Sequence, residues 1–302
     1  MKNARTAPDN NTNMSQNRNL RVIGVMAKFW QPGEVKTRLA NSLNSARTAT
    51  LRDITSDSGK PVLGGFTDPM AVSAEIHRRF VCHLLTRLAG VGEIRQLVGS
   101  PVDRLADFQA ALVEQSIQGW QVTDQGTGDL GRRMKRWFEH LLFRPVDDSD
   151  SEDSGVSQNH TLPVADRQDR AMSCVLIGAD CPLLSQDEMD QAWKSLETHD
   201  LVLGPADDGG YYLIGLRGSA DLEKSRTSGV TQESLAGLFE GIAWSTPDVF
   251  EQTLAAAERS SLSVGILPTR HDVDTAEDLV RLAGTIAREF PEESVLLDGL
   301  FD

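Results

Sequence analysis

The chain of 302 residues is 39% hydrophobic and 25% charged, with a formal net charge of −14. That length and balance predict a soluble folded protein with material for one large core or two small ones, and exclude both a largely disordered chain and a miniature fold that needs disulfides or structural metals. The acidity excludes a general nucleic-acid binder, because phosphate backbones need a basic surface; any anionic ligand must meet a local basic cluster.

Residues 1–19 are polar and Asn-rich without an apolar run, which reads as a disordered tail lacking a secretory signal or membrane anchor. Leu20 to Met26 (LRVIGVM) predicts a buried strand and the start of one domain running from 20 to 302, and Lys28 to Lys36 a Pro/Gly-containing loop. The stretch from about 41 to 67 is polar and aperiodic and reads as an insertion. Asp68-Pro69 is an N-cap with proline at the first helical position, and Ile76, Phe80, Leu84, Leu85 and Leu88 then recur at helical spacing. Ile94 to Val98 reads as a strand, Arg104 to Ser116 as a helix, Trp120 to Thr123 as a strand and Leu130 to Phe143 as an amphipathic helix.

From about 145 to 170 the chain is polar and acidic (DDSDSED near its start), a second insertion expected to be solvated. Cys174 to Gly178 is the most clearly buried strand. A helix from about Ser185 to Leu196 follows, then strands at Leu201 to Leu203 and 211 to 216 (YYLIGL). A helix opens at Thr246-Pro247 and runs to about Arg259, Val264 to Leu267 is a strand, and Thr275 begins a helix through Phe290 with Asp278 completing a capping box. Strands alternating with helices predict an α/β fold, a mainly parallel sheet covered on both faces, with ligands at the carboxyl ends of its strands.

Four segments could carry chemistry there. AKFWQPGEVKTRL gathers Lys28, Lys36 and Arg38 on a loop where Gly33 permits close backbone approach, which suits a diphosphate; a solvated basic loop accounts for the same residues. In LIGADCPLL the strand ends in Asp180, a carboxylate suited to Mg2+ or Mn2+, or simply a turn former with Pro182. In GPADDGGYYLIGL the glycines Gly209 and Gly210 are turn chemistry, whereas Asp207 and Asp208 could hold a sugar hydroxyl, orient a metal-bound water or act as a general base. In HDVDTAEDL, Asp272 and Asp274 precede a helix whose dipole favours acids, and one of them could complete a two-carboxylate metal site with Asp180. DQGTGDLGRRM and WSTPDV each contain a helix start, where backbone N–H groups, with Arg132 or Arg133 in the first, could assist an anion.

The six histidines show no HExxH spacing, there is no GxSxG elbow, and Cys82, Cys174 and Cys181 form no CxxC pair. A zinc hydrolase and nucleophilic catalysis by serine or cysteine are therefore disfavoured, and a reducing, cytoplasmic setting is the default expectation. Cys181, beside Asp180, is expected to serve as a chemical probe of the site.

Taken in order, AK-x3-PG-x-VKTRL, GDLG-x-RM, IGADCP, GPADDGGYYLIGL, WST and DVDT-x-EDL resemble the DUF2064 family, from about Arg21 to Ala283 apart from the two insertions. That family comprises glycosyltransferase A-like transferases associated with radical SAM/selenodomain proteins and arsenosugar biosynthesis. It is similar in turn to molybdenum-cofactor and phospholactate guanylyltransferases and sugar nucleotidyltransferases. The resemblance implies a nucleotide-diphospho-sugar transferase (GT-A, Rossmann-like) fold, a single three-layer α/β/α domain with a nucleotide-binding cleft. By the same resemblance Asp180 and Asp274 would hold a catalytic Mg2+ or Mn2+. Lys28, Gly33, Lys36 and Arg38 would bind phosphates, and the turn from Asp207 to Gly210 would face the acceptor or sugar, with Asp208 the candidate for activating the acceptor.

The expected activity is transfer of a glycosyl group from a nucleotide-diphospho-sugar to a small-molecule acceptor. The alternatives are a nucleotidyltransferase using an NTP and a catalytically silent nucleotide-binding module. Base, sugar, acceptor and oligomeric state are not encoded legibly.

Overall fold

The computed structural model describes residues 19–46, 68–143, 171–218 and 229–298. The expected tail up to residue 18, most of the first expected insertion and all of the second lie outside these residues. The first insertion is shorter than expected at its start, because a helix continues through Ala46.

Among the described residues seven strands form one sheet: β1 (Leu20–Lys28), β2 (Ile94–Ser100), β3 (Gln121–Asp124), β4 (Met172–Gly178), β5 (Leu201–Pro205), β6 (Tyr211–Arg217) and β7 (Val264–Ile266). Their order is β3-β2-β1-β4-β6-β5-β7. All pairs are parallel except those made by β6, which runs antiparallel to both β4 and β5. The carboxyl ends of the other six strands therefore share one edge, and the β5–β6 turn returns on that same edge. This is the mainly parallel α/β sheet expected from the alternation of elements.

The helices are α1 (Thr37–Ala46), α2 (Pro69–Arg87), α3 (Leu105–Glu114), α4 (Leu130–Leu142), α5 (Gln186–Ser195), α6 (Gln232–Leu238), α7 (Val249–Arg259) and α8 (Ala276–Glu289). Successive side chains along a strand point to opposite faces. Ile23, Val25 and Ala27 of β1 accordingly join residues of α2, α3 and α5 in one cluster. Leu20 and Val22 join residues of α4, α6 and α7 in another. Both faces of β1 and β4 are buried, which explains why those strands read as continuous apolar runs.

A third cluster lies beside the sheet, where Leu39 and Leu43 of α1 meet Val72, Ile76 and Phe80 of α2 and Leu279 and Leu282 of α8. Helix starts follow local capping chemistry. Asp68 accepts from the Met70 amide, and Ser185 with Glu188 and Thr275 with Asp278 form capping boxes.

Gln125, just past β3, locks the functional edge of the sheet. Its buried side-chain amide donates to the Ala27 carbonyl at 3.0 Å and the Val98 carbonyl at 2.8 Å, and its own N–H donates to the Gly99 carbonyl. Carbonyls buried without a partner cost about 1–3 kcal/mol each. Gln125→Ala should thus lower unfolding free energy by about 2–4 kcal/mol, read as the midpoint of a urea melt; a change below about 0.5 kcal/mol would show that the tie is dispensable.

Candidate active site

The strand ends bring the sequence's acids to one cleft of about 330 Å3, lined by Asp180 after β4, Asp208 in the β5–β6 turn, and Asp272 and Asp274 before α8. Arg38 of α1 lies on the same wall, while Tyr211, Trp244 and Pro247 line it as well.

Lys36 organises the acidic side. Its side chain is only 4% exposed, and its Nζ lies 2.5 Å from Asp180 Oδ1 and 3.1 Å from Asp274 Oδ1. It also donates to the Val273 carbonyl at 2.6 Å. Burial alone would lower the lysine's pKa, but the two carboxylates outweigh it and the net shift is upward. Burial likewise works against the Asp180 carboxylate, yet the Lys36 ammonium turns that shift downward, so the pair is ionised. Lys36 has φ 48°, a left-handed conformation that a non-glycine residue rarely holds without tertiary support. Arg38 Nη1 adds a contact to Asp274 Oδ2 at 3.0 Å.

The segment from Asp272 to Asp274 explains how two acids reach one wall. Val273 is buried in the cluster of α1, α2 and α8, and its N–H donates to the Asp180 carbonyl at 3.0 Å. Asp272 and Asp274 flank it and line the cleft. One carboxylate oxygen each from Asp208, Asp272 and Asp274 lie within 4.8 Å of one another, a hard-oxygen set suited to Mg2+ or Mn2+. Burial raises the Asp272 carboxyl to about 6, with the charge of Asp208 next in weight and Asp274 and Asp180 adding to it. A divalent cation would relieve that repulsion, so the residues fit the ion.

The structure rearranges several sequence-based assignments. Asp274 sits where a metal ligand was expected, grouped for an ion with Asp208 and Asp272, while Asp180 and Asp274 are both also paired with Lys36. Lys36 faces carboxylates and is sealed from a phosphate. Lys28 ends β1 and pairs with Glu34 at 3.0 Å, outside the lining of the cleft. Gly33 (φ 81°) has open space where a side chain would be, so its requirement is conformational. Asp207 is paired with His271 and does not line the cleft, whereas Asp208 does.

Gly210 lines the cleft and donates to Asp208 Oδ1 at 2.8 Å. Gly209 (φ 87°) presses on the 244–247 loop, since a Cβ there would fall 1.9 Å from the Pro247 carbonyl oxygen. Cys181 is buried, its thiol pushed well above the ordinary range by that burial and by Asp180, so it is a poor chemical probe.

Residues that the motif reading underweighted also matter. Helix α7 begins at Val249, leaving Ser245 (φ 65°), Thr246 and Pro247 in a loop along the cleft instead of in a helix cap. Trp244 stacks near Phe239, with ring centroids 6.2 Å apart, and packs on Gly131, where a Cβ would lie 2.3 Å from the indole. His77 of α2 donates from Nε2 to the Lys28 carbonyl at 3.0 Å, bracing the end of β1. Arg133 is spent on the Gly128 carbonyl and Gln125.

The fold and cleft define a Rossmann-like protein of the nucleotide-diphospho-sugar transferase type, with an acidic pocket at the carboxyl edge of its sheet. The family model of DUF2064, described as an uncharacterized protein conserved in bacteria, matches residues 84–246, and the chain belongs to that family. A crystal structure from Desulfovibrio desulfuricans G20, assigned as a nucleotide-diphospho-sugar transferase, is similar with a TM-score of 0.61 at 25% identity, covering 91% of this chain and 96% of that one. A 4-diphosphocytidyl-2C-methyl-D-erythritol synthase from Anaerococcus prevotii DSM 20548 is more distant, with a TM-score of 0.45 at 10% identity over 89% and 99% of the two chains. No curated protein matches the sequence. Among the described residues no helix is long and apolar enough to cross a membrane.

Two outcomes test this geometry. In a chelator, Asp272→Asn should melt higher than the unmodified protein at pH 7.5, and the gap should close by pH 4. Below its folded pKa of about 6 the native carboxyl is protonated and free of repulsion; stability is lost as pH rises through that value. A gap independent of pH would refute the raised Asp272 carboxyl, whose displacement comes first from burial and then from Asp208. Gly209→Ala forces a Cβ into the Pro247 backbone at a positive φ, and should cost more than about 2 kcal/mol in a denaturant melt.

Proposed function

We propose that the protein is a metal-dependent glycosyltransferase that moves a sugar from a nucleotide-diphospho-sugar to a small acceptor. The observation that carries this reading is the convergence of Asp208, Asp272 and Asp274 at the carboxyl edge of the sheet. The likeness to the Desulfovibrio protein supports the donor class.

Asp272 and Asp274 are assigned to Mg2+ or Mn2+. When bound, the ion would neutralise the diphosphate leaving group as its bond to the sugar breaks. Asp180, fixed by Lys36, braces the Asp274 side of that set through their shared lysine. Asp208 has one carboxylate oxygen tied to the Gly210 amide, which orients the other. We assign it to the acceptor hydroxyl, whose proton it would take as the new glycosidic bond forms. Arg38, 66% exposed along its side chain and paired with Asp274 through Nη1 alone, is the lining cation among the described residues assigned to phosphate oxygens.

The test is thermal unfolding against sugar nucleotides and NTPs with and without MnCl2. A ligand that binds the native state at 100 times its dissociation constant adds about 2.7 kcal/mol, a readily measured shift. A Mn2+-dependent shift with one sugar nucleotide, lost in Asp274→Asn, together with NDP release on turnover, is the expected result. Asp208→Asn should lose about 10²- to 10⁴-fold in transfer rate and, because Asp208 also stands in the acidic set, weaken the Mn2+-dependent shift less than Asp274→Asn does. A shift confined to an NTP, with pyrophosphate release, would replace this reading by nucleotidyl transfer. No shift with any nucleotide would overturn both and leave a silent module.

A further inference from the structure

The cleft's charge and its aromatic wall constrain the acceptor beyond the transferase reading, on which this step rests. Four carboxylates, from Asp180, Asp208, Asp272 and Asp274, meet two cations among the described residues, Lys36 and Arg38. Lys36 is sealed behind its two acids, and Arg38 already contacts Asp274. One divalent ion would balance the remaining two negative charges, and a diphosphate donor would then restore a negative excess. A second anion entering as acceptor would meet like charge at the acidic wall of the cleft.

The other lining has the opposite character. Trp244 is fixed by Phe239 and by contact with Gly131, and Tyr211, Pro247 and the hydroxyl-bearing Ser245 and Thr246 continue the wall. An aromatic surface facing carboxylates suits a ligand with an apolar C–H face and several hydroxyls: the ring packs on the aromatic side, and the hydroxyls donate to acceptor-only carboxylates.

We infer that the acceptor is an uncharged polyhydroxylated ring compound, such as a glycoside, and that the cleft discriminates against phosphorylated acceptors. The discrimination comes from the acidic wall and the packing from Trp244.

Saturation-transfer NMR on the full chain in MgCl2 with UDP or GDP present, to supply the donor's diphosphate charge, tests this with methyl glycosides of glucose, mannose and ribose against glucose 6-phosphate, mannose 6-phosphate and ribose 5-phosphate. At least one glycoside should show ring-proton saturation transfer and bind at least tenfold more tightly than its phosphorylated counterpart. Trp244→Ala should weaken that signal at least fivefold. Because that variant could perturb the loop, a second measurement uses the unmodified protein: replacing Mg2+ by Mn2+ should broaden the bound glycoside's resonances. Phosphorylated sugars binding as tightly as the glycosides, or no glycoside signal at all, would overturn the inference. Failure of the donor reading is scored separately, by the absence of any sugar-nucleotide shift, so glycoside selectivity without donor binding would sink the transferase assignment and leave the cleft a glycoside-binding site.

Discussion

Lys36 brings a full positive charge into a position that is 4% exposed, and two carboxylates from distant parts of the chain, Asp180 and Asp274, meet it there. Desolvating such a group is costly, and removing either carboxylate would leave the buried ammonium with fewer partners to offset that cost. The same contact fastens three separate pieces of the fold: the loop after β1, the end of β4 and the segment before α8. The loop's left-handed turn at Lys36 is held by this set of bonds, and the ammonium's third partner, the Val273 carbonyl, extends the tie to the backbone. The lysine thereby does for the acidic edge what a metal would otherwise have to do during folding. It keeps like charges together before any ligand arrives.

That arrangement also decides which carboxylates remain available. Asp180 is held by Lys36, while the Asp272 carboxyl is raised chiefly by burial and then by the neighbouring charge of Asp208. The backbone alternation around Val273 is the mechanical cause. A buried valine between two acids sends both carboxylates toward the cleft while anchoring the segment in apolar contacts with α1, α2 and α8. Ligand preference in this cleft is therefore built from the hydrophobic core outward.

Much of the fold was legible because its strands and amphipathic helices carry strong local signals. LRVIGVM reads as a buried strand since both faces of β1 are covered, and Asp68-Pro69 marks α2 because the aspartate does cap the Met70 amide. Helix α1 was not legible: TRLANSLNSA presents Leu39 and Leu43 to the core among Asn and Ser residues, and tertiary contact supplies what propensity lacks. Helix α6 is only seven residues long and includes Gly237. The direction of β6 escaped for another reason, since a strand's pattern of burial does not record which way its neighbours run.

The site was legible by residue type and less so by partnership. Asp180, Asp208 and Asp274 stand out as acids at strand ends or helix starts, but Asp272 and Asp274 could not be told apart as ligands, because the helix dipole accounts for both. Val273 was the missing clue, because an apolar residue between two aspartates in an extended segment is a statement about direction. The basic loop misled in the opposite sense. Lys28, Lys36 and Arg38 form one cluster in sequence, but β1 ends at Lys28 and the chain then turns, so Lys28 pairs with Glu34, Lys36 is buried and Arg38 alone lines the cleft. A phosphate-binding surface and a carboxylate-holding one have the same composition, and burial separates them: a cation sealed among acids organises a site, while an exposed one is left to meet the ligand.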